Sequence, residues 1–462
     1  MATLLTPDLC VIGAGASGVA VAEAARRLGA SVVVVEKAAT GGMSLRAGNL
    51  ALRALGVAGE KAAAVGSGAA LGVTADAARV SFRRLRDHIA EIIGQAAAET
   101  GAPRLQALGI ELVRGTGTFA DPRTLKTGDT EIRARRFVIA TGARSSVPDL
   151  PGLHTVAYFT PETIFDNTRK LSHLVVIGAG PMGLELALGY RRLGCEVTVV
   201  EPARALPQSD PELADIALRR LRDEGVVLHE GSAIVAVQAR SQGIGVTIRV
   251  GDEVTALDAS HILVASNRIA NLDELGLDAA HIRRSKSDTG ALWLNGALRT
   301  TNPRIFAVGE AAGHAPAAHL GALEADLVVR AALLGRPAHY DAAAVPRLTL
   351  TDPPIAEIGL SEPMARTRLK GGFTVLRAGY AQTDEARAGR DGMGVAKLVV
   401  GRSGHILGAG IVGAGAAELA ALFAFAMDQR IEVARLAELA APYPSHAELA
   451  RILGEQALAG TG

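Results

Sequence analysis

Three glycines, Gly13, Gly15 and Gly18, are followed by an acid, Glu36, and the same set returns 165 positions later as Gly178, Gly180, Gly183 and Glu201. Glycines at this spacing have separate tasks: the first makes a tight turn, the second lets a diphosphate approach the backbone, and the third lets a helix pack on a strand. The free N–H groups that open such a helix suit an anion. A carboxylate eighteen residues past the third glycine can accept hydrogen bonds from a ribose diol. Each set is therefore a candidate dinucleotide site. Histidine spacing nowhere suggests a metal centre.

The elements that must position these residues are legible around them. Residues 9–36 read LCVIGAGASGVAVAEAARRLGASVVVVE and residues 174–201 read LVVIGAGPMGLELALGYRRLGCEVTVVE. In both, a β-branched strand enters the glycine turn, a helical stretch ends at Arg-Arg-Leu-Gly, and a second apolar strand closes on the acid, which is a βαβ unit. RFVIATG (136–142), HILVASNR (261–268) and IFAVGE (305–310) each run a strand into small residues. From about residue 341 the alternating segments RLTLTD, VAKLVV and HILGAGIVG predict an antiparallel sheet, with helices over 415–428 and 446–458.

Composition narrows the functional classes. A chain of 462 residues has ample length for about three domains. Forty-eight basic and forty-seven acidic side chains leave +1, and aromatics reach only 3%, so neither the electrostatic footprint nor the stacking surface of a nucleic-acid binder is present. No apolar run approaches the ~18 residues of a membrane span; the longest, Leu419 to Met427, is half that. Without a secretory leader pattern, and with only Cys10 and Cys195, which read as small buried apolar residues beside strands, a reducing cytoplasm is the expected compartment.

The order of motifs resembles the pyridine nucleotide-disulfide oxidoreductases, the flavoprotein relatives of dihydrolipoamide dehydrogenase, glutathione reductase and mercuric reductase. The likeness runs from 9–36 through ATG at 140–142 and 174–201 to TTNPRIFAVGE at 300–310 and LTLTDPPIAEIGLSE at 348–362. It implies an α/β fold of two Rossmann-like dinucleotide-binding domains plus a C-terminal α+β dimerisation domain. An FAD domain would span 1–150 and 271–340, an NAD domain 151–270, and a homodimer-forming domain 341–462. On the resemblance, FAD contacts fall to Gly13, Gly15, Ala16, Ser17, Gly18, Glu36, Lys37, Gly42, Met43, Ser44, Arg53, Gly117, Ala140, Thr141, Gly142, Gly309, Glu310, Ala317, Ala318 and His319. Nicotinamide dinucleotide contacts fall to Gly178, Gly180, Pro181, Met182, Gly183, Glu185, Glu201 and Asn267.

Departures from the family pattern direct the functional expectation. Disulfide-reducing relatives carry two cysteines five positions apart and then a lysine; here GGMSLRAGNLALRAL puts Ser44, Asn49 and Arg53 in those places. A hydroxyl and an amide cannot form a disulfide, and soft metals need thiolates. The family's tail histidine and glutamate become Tyr443 and Glu448 in Tyr-Pro-Ser-His-Ala-Glu, with His446 read as a helix-surface histidine. A phenol near pKa ~10 is a poor base at neutral pH, although it can donate a hydrogen bond to an oxyanion. Arg53 is expected to keep the ion pair with Glu185, and Glu201 to favour NADH over NADPH, with Arg204 partly offsetting that preference. Glu310 replaces an aspartate of the flavin's ribityl site and Asn267 a glycine of the second nucleotide turn.

The glycines at 56, 59, 66 and 68 predict a short, broken or mobile helix after Arg53, the alternative being a helix packed tightly through its small residues. Arg79, Arg83, Arg84 and Arg86 read as a solvated basic face. The expected activity is transfer of electrons from NAD(P)H through FAD directly to a small non-disulfide acceptor such as a quinone. Pyridine nucleotide transhydrogenation and a non-catalytic flavin-binding sensor remain the alternatives.

Overall fold

The computed structural model describes residues 3–46, 48–286, 290–314 and 318–460. Val32 to Val35 lie in one strand, Val32–Glu36, buried along its whole length. Such unbroken apolar strands belong in a parallel sheet covered on both faces. That sheet runs Ile305–Ala307, Arg136–Ile139, Leu9–Ile12, Val32–Glu36, Glu111–Arg114, all parallel. On one face, helix Ala16–Arg27 packs with Ala325, Val328 and Ala332 of helix Ala318–Leu334.

The second repeat builds its own parallel sheet in the order Val227–His229, Glu196–Val200, His173–Ile177, His261–Val264. A three-stranded antiparallel sheet of Ser232–Ala239, Ile244–Val250 and Glu253–Ala259 adjoins it. The chain enters and leaves this unit through one antiparallel ribbon, Ala143–Ser146 with Asn267–Ala270. The C-terminal part forms a five-stranded antiparallel sheet covered by helices Ala416–Asp428 and Glu448–Ala459. Among the described residues no helix is long and apolar enough to cross a membrane, and no group of acids, histidines or cysteines could hold a metal.

The break expected after Arg53 does not occur, and the tightly packed alternative holds. Residues 49–67 form a single helix, Asn49–Ser67, followed by a tight turn at Gly68–Leu71. Its glycines weigh against helix formation locally, yet they permit close packing. A Cβ at Gly59 would lie 3.3 Å from both the Gly189 carbonyl oxygen and Arg192 Cβ, and one at Gly189 would lie 3.1 Å from Leu55. The helix therefore meets helix Pro181–Arg192 nearly backbone to backbone, and Ala51, Leu52, Ala54 and Leu55 are buried against it. Tertiary packing overrides the roughly 0.5–1 kcal/mol that each interior glycine costs.

A buried charge cluster joins the second nucleotide unit to the C-terminal sheet. Lys397, only 4% exposed, holds Asp210 and Glu212 at 2.8 Å and Glu362 at 2.9 Å. Arg377 bridges Glu212 and Glu362 from outside. Burial alone would lower the Lys397 pKa, but its hydrogen bonds to Asp210, Glu212 and Glu362 raise it, so the lysine stays charged.

Candidate functional site

The first glycine turn is fixed by geometry that tolerates no side chain. Gly13 sits at φ +107°, and a Cβ there would lie 2.4 Å from the Ala140 carbonyl oxygen; at Gly18 it would lie 2.0 Å from the Gly13 oxygen. Glu36 stabilises the turn by accepting hydrogen bonds from the N–H groups of Ala14 and Ala38, both at 2.7 Å. The second turn repeats this arrangement. Gly178 has φ +108°, a Cβ at Gly183 would lie 2.2 Å from the Gly178 oxygen, and Glu201 accepts from Ala179 at 2.9 Å and Ala203 at 3.0 Å. Around Gly180, by contrast, a Cβ would meet nothing within 4 Å among the described residues apart from its own chain neighbours. Pro181 and Met182 open the helix that follows.

In front of the first turn lies a cleft of about 590 Å3, within the size range of cofactor sites. Its walls include Gly13, Gly15, Ala16, Ser17, Glu36, Lys37, Gly42, Met43, Gly117, Ala140, Thr141, Gly142, Gly309 and Glu310, all expected from the sequence. Gly18 stands behind the wall, under the Gly13 carbonyl. Ala317 and the side chains of Ser44 and Ala318 lie outside the described residues. His319 is not among the lining residues: it is exposed, with Nε2 at 2.9 Å from the Pro346 carbonyl oxygen.

Several chemistry-bearing residues take unexpected partners. Arg53 forms no ion pair with Glu185; it is exposed and bonds both carboxylate oxygens of Glu60, two turns along its own helix. Glu185 instead accepts the N–H of Leu350 at 2.7 Å, and burial pushes its carboxyl up to about 7 despite that bond. An intrahelical acid within reach outcompetes a carboxyl on a neighbouring helix, because the pair forms at the surface without desolvation. Asn49 is exposed at the start of the helix, and Arg79, Arg83 and Arg84 are exposed as expected, whereas Arg86 is half-buried, with Nε unpartnered among the described residues and Nη2 3.1 Å from Asp87.

In the C-terminal part, Tyr443 is 73% exposed and its hydroxyl donates to Asp384 at 2.9 Å, a bond that pushes the phenol up. His446 precedes the helix rather than lying on it, with its ring 4.9 Å from that of Tyr380. Glu448 begins helix Glu448–Ala459 with one oxygen buried and unpaired among the described residues. Asn267 is exposed on the ribbon, and the backbone of Ala265 and Ser266 packs against Gly178 in its place. Arg204 turns away from Glu201 to Asp215, at 2.7 Å.

Three groups at the cleft escaped the sequence reading. Arg268 grips Glu310 through two nitrogens, at 2.5 and 3.2 Å, and also bonds Glu162 at 3.2 Å. Glu324, fully buried, accepts from the Gly309 N–H at 2.6 Å and holds His314 at 2.5 Å, whose ring stacks on Tyr340. An acid inside the apolar run AHLGALEADLVV was the available signal. Arg46 lines the cleft itself.

Comparison with known proteins places this geometry. The sequence profile described as pyridine nucleotide-disulphide oxidoreductase matches residues 7–333, and the family's dimerisation domain matches residues 345–452. The chain is 31% identical over 457 residues to a mercuric reductase of Streptomyces lividans, covering 97% of this chain and 95% of that one. With a dihydrolipoyl dehydrogenase of Geobacillus stearothermophilus it shares 30% over 467 residues, covering 98% and 96%. LpdA of Mycobacterium tuberculosis superposes with a TM-score of 0.88 at 22% identity, over 98% of this chain and 99% of that one. The flavoprotein disulfide reductase RclA of Escherichia coli gives 0.84 at 23%, over 97% and 99%. The chain belongs to the pyridine nucleotide-disulphide oxidoreductases, a flavoprotein family that binds FAD and uses a nicotinamide dinucleotide. The cleft fits the first of these groups: Gly13 permits the tight turn against Ala140, the absence of a side chain at Gly15 leaves room in front of it, helix Ala16–Arg27 opens toward it, and Thr141 Oγ1 is buried there with no partner among the described residues.

Proposed function

We propose that this chain is an FAD-dependent NAD(P)H oxidoreductase that passes electrons from the flavin directly to a non-disulfide acceptor such as a quinone, and that it reduces neither disulfides nor mercuric ion. The observation that carries the reading is the sulfur inventory. The only cysteines, Cys10 and Cys195, are both fully buried and belong to the cores of different nucleotide units. Burial raises both thiols, which disfavours the thiolate. Disulfide exchange proceeds through a thiolate beside a second sulfur, and the positions where the resemblance expects that couple hold Ser44 and Asn49.

FAD, when bound, supplies two-electron redox chemistry. The chain's own residues would hold and orient it: Gly13 makes the tight turn, Gly15 lets the diphosphate approach it, Glu36 stands at the ribose end, and Glu310 is steadied by Arg268. At the second turn Glu201 offers a carboxylate to a ribose diol, and Arg204 is engaged by Asp215 rather than free for a 2′-phosphate. NADH is accordingly the preferred donor. Exposed Phe425 and Tyr443 on the C-terminal domain support a homodimer formed there.

Anaerobic mixing tests the reading. NADH should bleach the flavin faster than NADPH does, with no long-wavelength thiolate-to-flavin absorption, and a quinone should restore the colour while lipoamide, glutathione disulfide and mercuric ion do not. A flavin that NADH leaves oxidised, or that lipoamide reoxidises, would defeat it. Reoxidation by an oxidised nicotinamide alone would favour transhydrogenation.

A further inference from the structure

We propose that Arg46 is a side-chain ligand of the FAD diphosphate, a role this chain adds to the glycine turn; the inference rests on the reading of the 590 Å3 cleft as the FAD site. Three cations line the cleft: Lys37, Arg46 and Arg144. Two are already engaged, Lys37 with Glu274 at 2.6 Å and Arg144 with Asp273 at 3.0 Å and Asn271 at 3.1 Å. Every acid in the wall is matched as well among the described residues. Glu36 holds two backbone N–H groups, Asp273 and Glu274 hold the cations just named, and Glu310 holds Arg268. Arg46, half-buried, has no hydrogen-bond or ion-pair partner among the described residues.

Its position matches the anion rather than the ring or the adenine. Gly42, Met43 and Arg46 present one side of the short helix Gly42–Arg46 to the cleft, as residues one turn apart do. Gly42 lies against the glycine turn so closely that a Cβ on it would be 2.9 Å from Gly15 Cα. Arg46 therefore stands about one helical turn from the point where Gly15 and Ala16 open the first helix toward a diphosphate. A partly buried guanidinium without a counter-charge is costly. Its planar fork matches phosphate oxygens, and a diphosphate supplies the missing negative charge.

The test uses the full chain stripped of flavin and titrated with FAD, ADP and riboflavin, which carries no phosphate. Arg46→Gln should weaken FAD and ADP by about 10–100-fold, the range for losing a charge-assisted bond, and leave riboflavin unchanged. Its FAD affinity should also respond less to salt than the parent's, and Arg46→Lys should recover part of the loss. Unchanged circular dichroism and melting temperature in the absence of ligand show that the variant folds. Arg46→Gln binding FAD within twofold of the parent, or losing riboflavin as severely as FAD, overturns the assignment of Arg46 and leaves the cleft's identity intact. A parent chain that takes up neither FAD nor ADP removes the FAD reading, and this inference with it.

Discussion

Replacing Glu185 by glutamine should make folding stability less dependent on pH between about 4.5 and 7. Among the described residues Glu185 accepts one hydrogen bond, from Leu350, and has no ion-pair partner, Arg53 being held by Glu60. Burial moves its carboxyl from 4.5 to about 7 in the folded chain. The unfolded chain therefore ionises first, and the native state, which still binds the proton, loses stability as pH rises from 4.5 to 7; above 7 the loss is complete and constant. A displacement of 7 − 4.5 = 2.5 corresponds to about 3 kcal/mol. Because the residue keeps some exposed surface, solvent screening brings the expected loss to roughly 1–3 kcal/mol. Glutamine keeps an acceptor for the Leu350 N–H and has no charge to bury. Urea unfolding of the flavin-free protein at about pH 5, 6, 7 and 8 reads the difference, and the carboxyl infrared band of labelled glutamate reads the titration itself. Stability curves of parent and Glu185→Gln that run parallel, or a carboxyl band that titrates near 4, would refute the reasoning.

The two glycine turns give a contrasting pair. Gly13→Ala should yield protein with little or no bound flavin, seen as lost yellow colour, because its Cβ would press on the Ala140 carbonyl. Gly180→Ala should keep its melting temperature within a degree or two and yet weaken NADH binding by about tenfold, since its Cβ enters only the space that a diphosphate needs. Glu201→Ser should narrow or reverse the preference for NADH over NADPH, measured as the ratio of flavin-bleaching rates, by removing the charge that repels a 2′-phosphate.

How far the sequence could be read depended on the distance over which each feature is decided. The glycine turns were legible because spacing, φ and close approach are local matters, and the 165-residue repeat doubled the signal. The buried cysteines followed from strand composition in the same way. Arg53 and Glu185 were expected together from the family pattern, but their partners depend on competition: Glu60 lies on the same helix, whereas the Leu350 N–H arrives from the C-terminal part. Helix Asn49–Ser67 was misread because glycine content records its cost and not the approach of Gly189 that offsets it. His319 is expected in the cleft from the family pattern, but lies instead against the Pro346 carbonyl. Arg46 carries no signal in GGMSLRAGN, because its place in the cleft depends on how the short helix Gly42–Arg46 docks on the glycine turn.

The lysine at the seam bears on how this protein can be rebuilt. Asp210 and Glu212 belong to the second nucleotide unit, whereas Lys397 lies in a strand of the C-terminal sheet and Glu362 begins the helix Glu362–Leu369 of the same part. A chimaera that imported only the nucleotide unit from a relative, for instance to change coenzyme choice, would face Lys397 with whatever that relative carries at the two acid positions. An unmatched ammonium or carboxylate there costs about 3–5 kcal/mol, enough to unfold many domains of ordinary stability. Recombination should therefore transplant both banks of the seam together, or replace all four ionic side chains by apolar ones of similar volume.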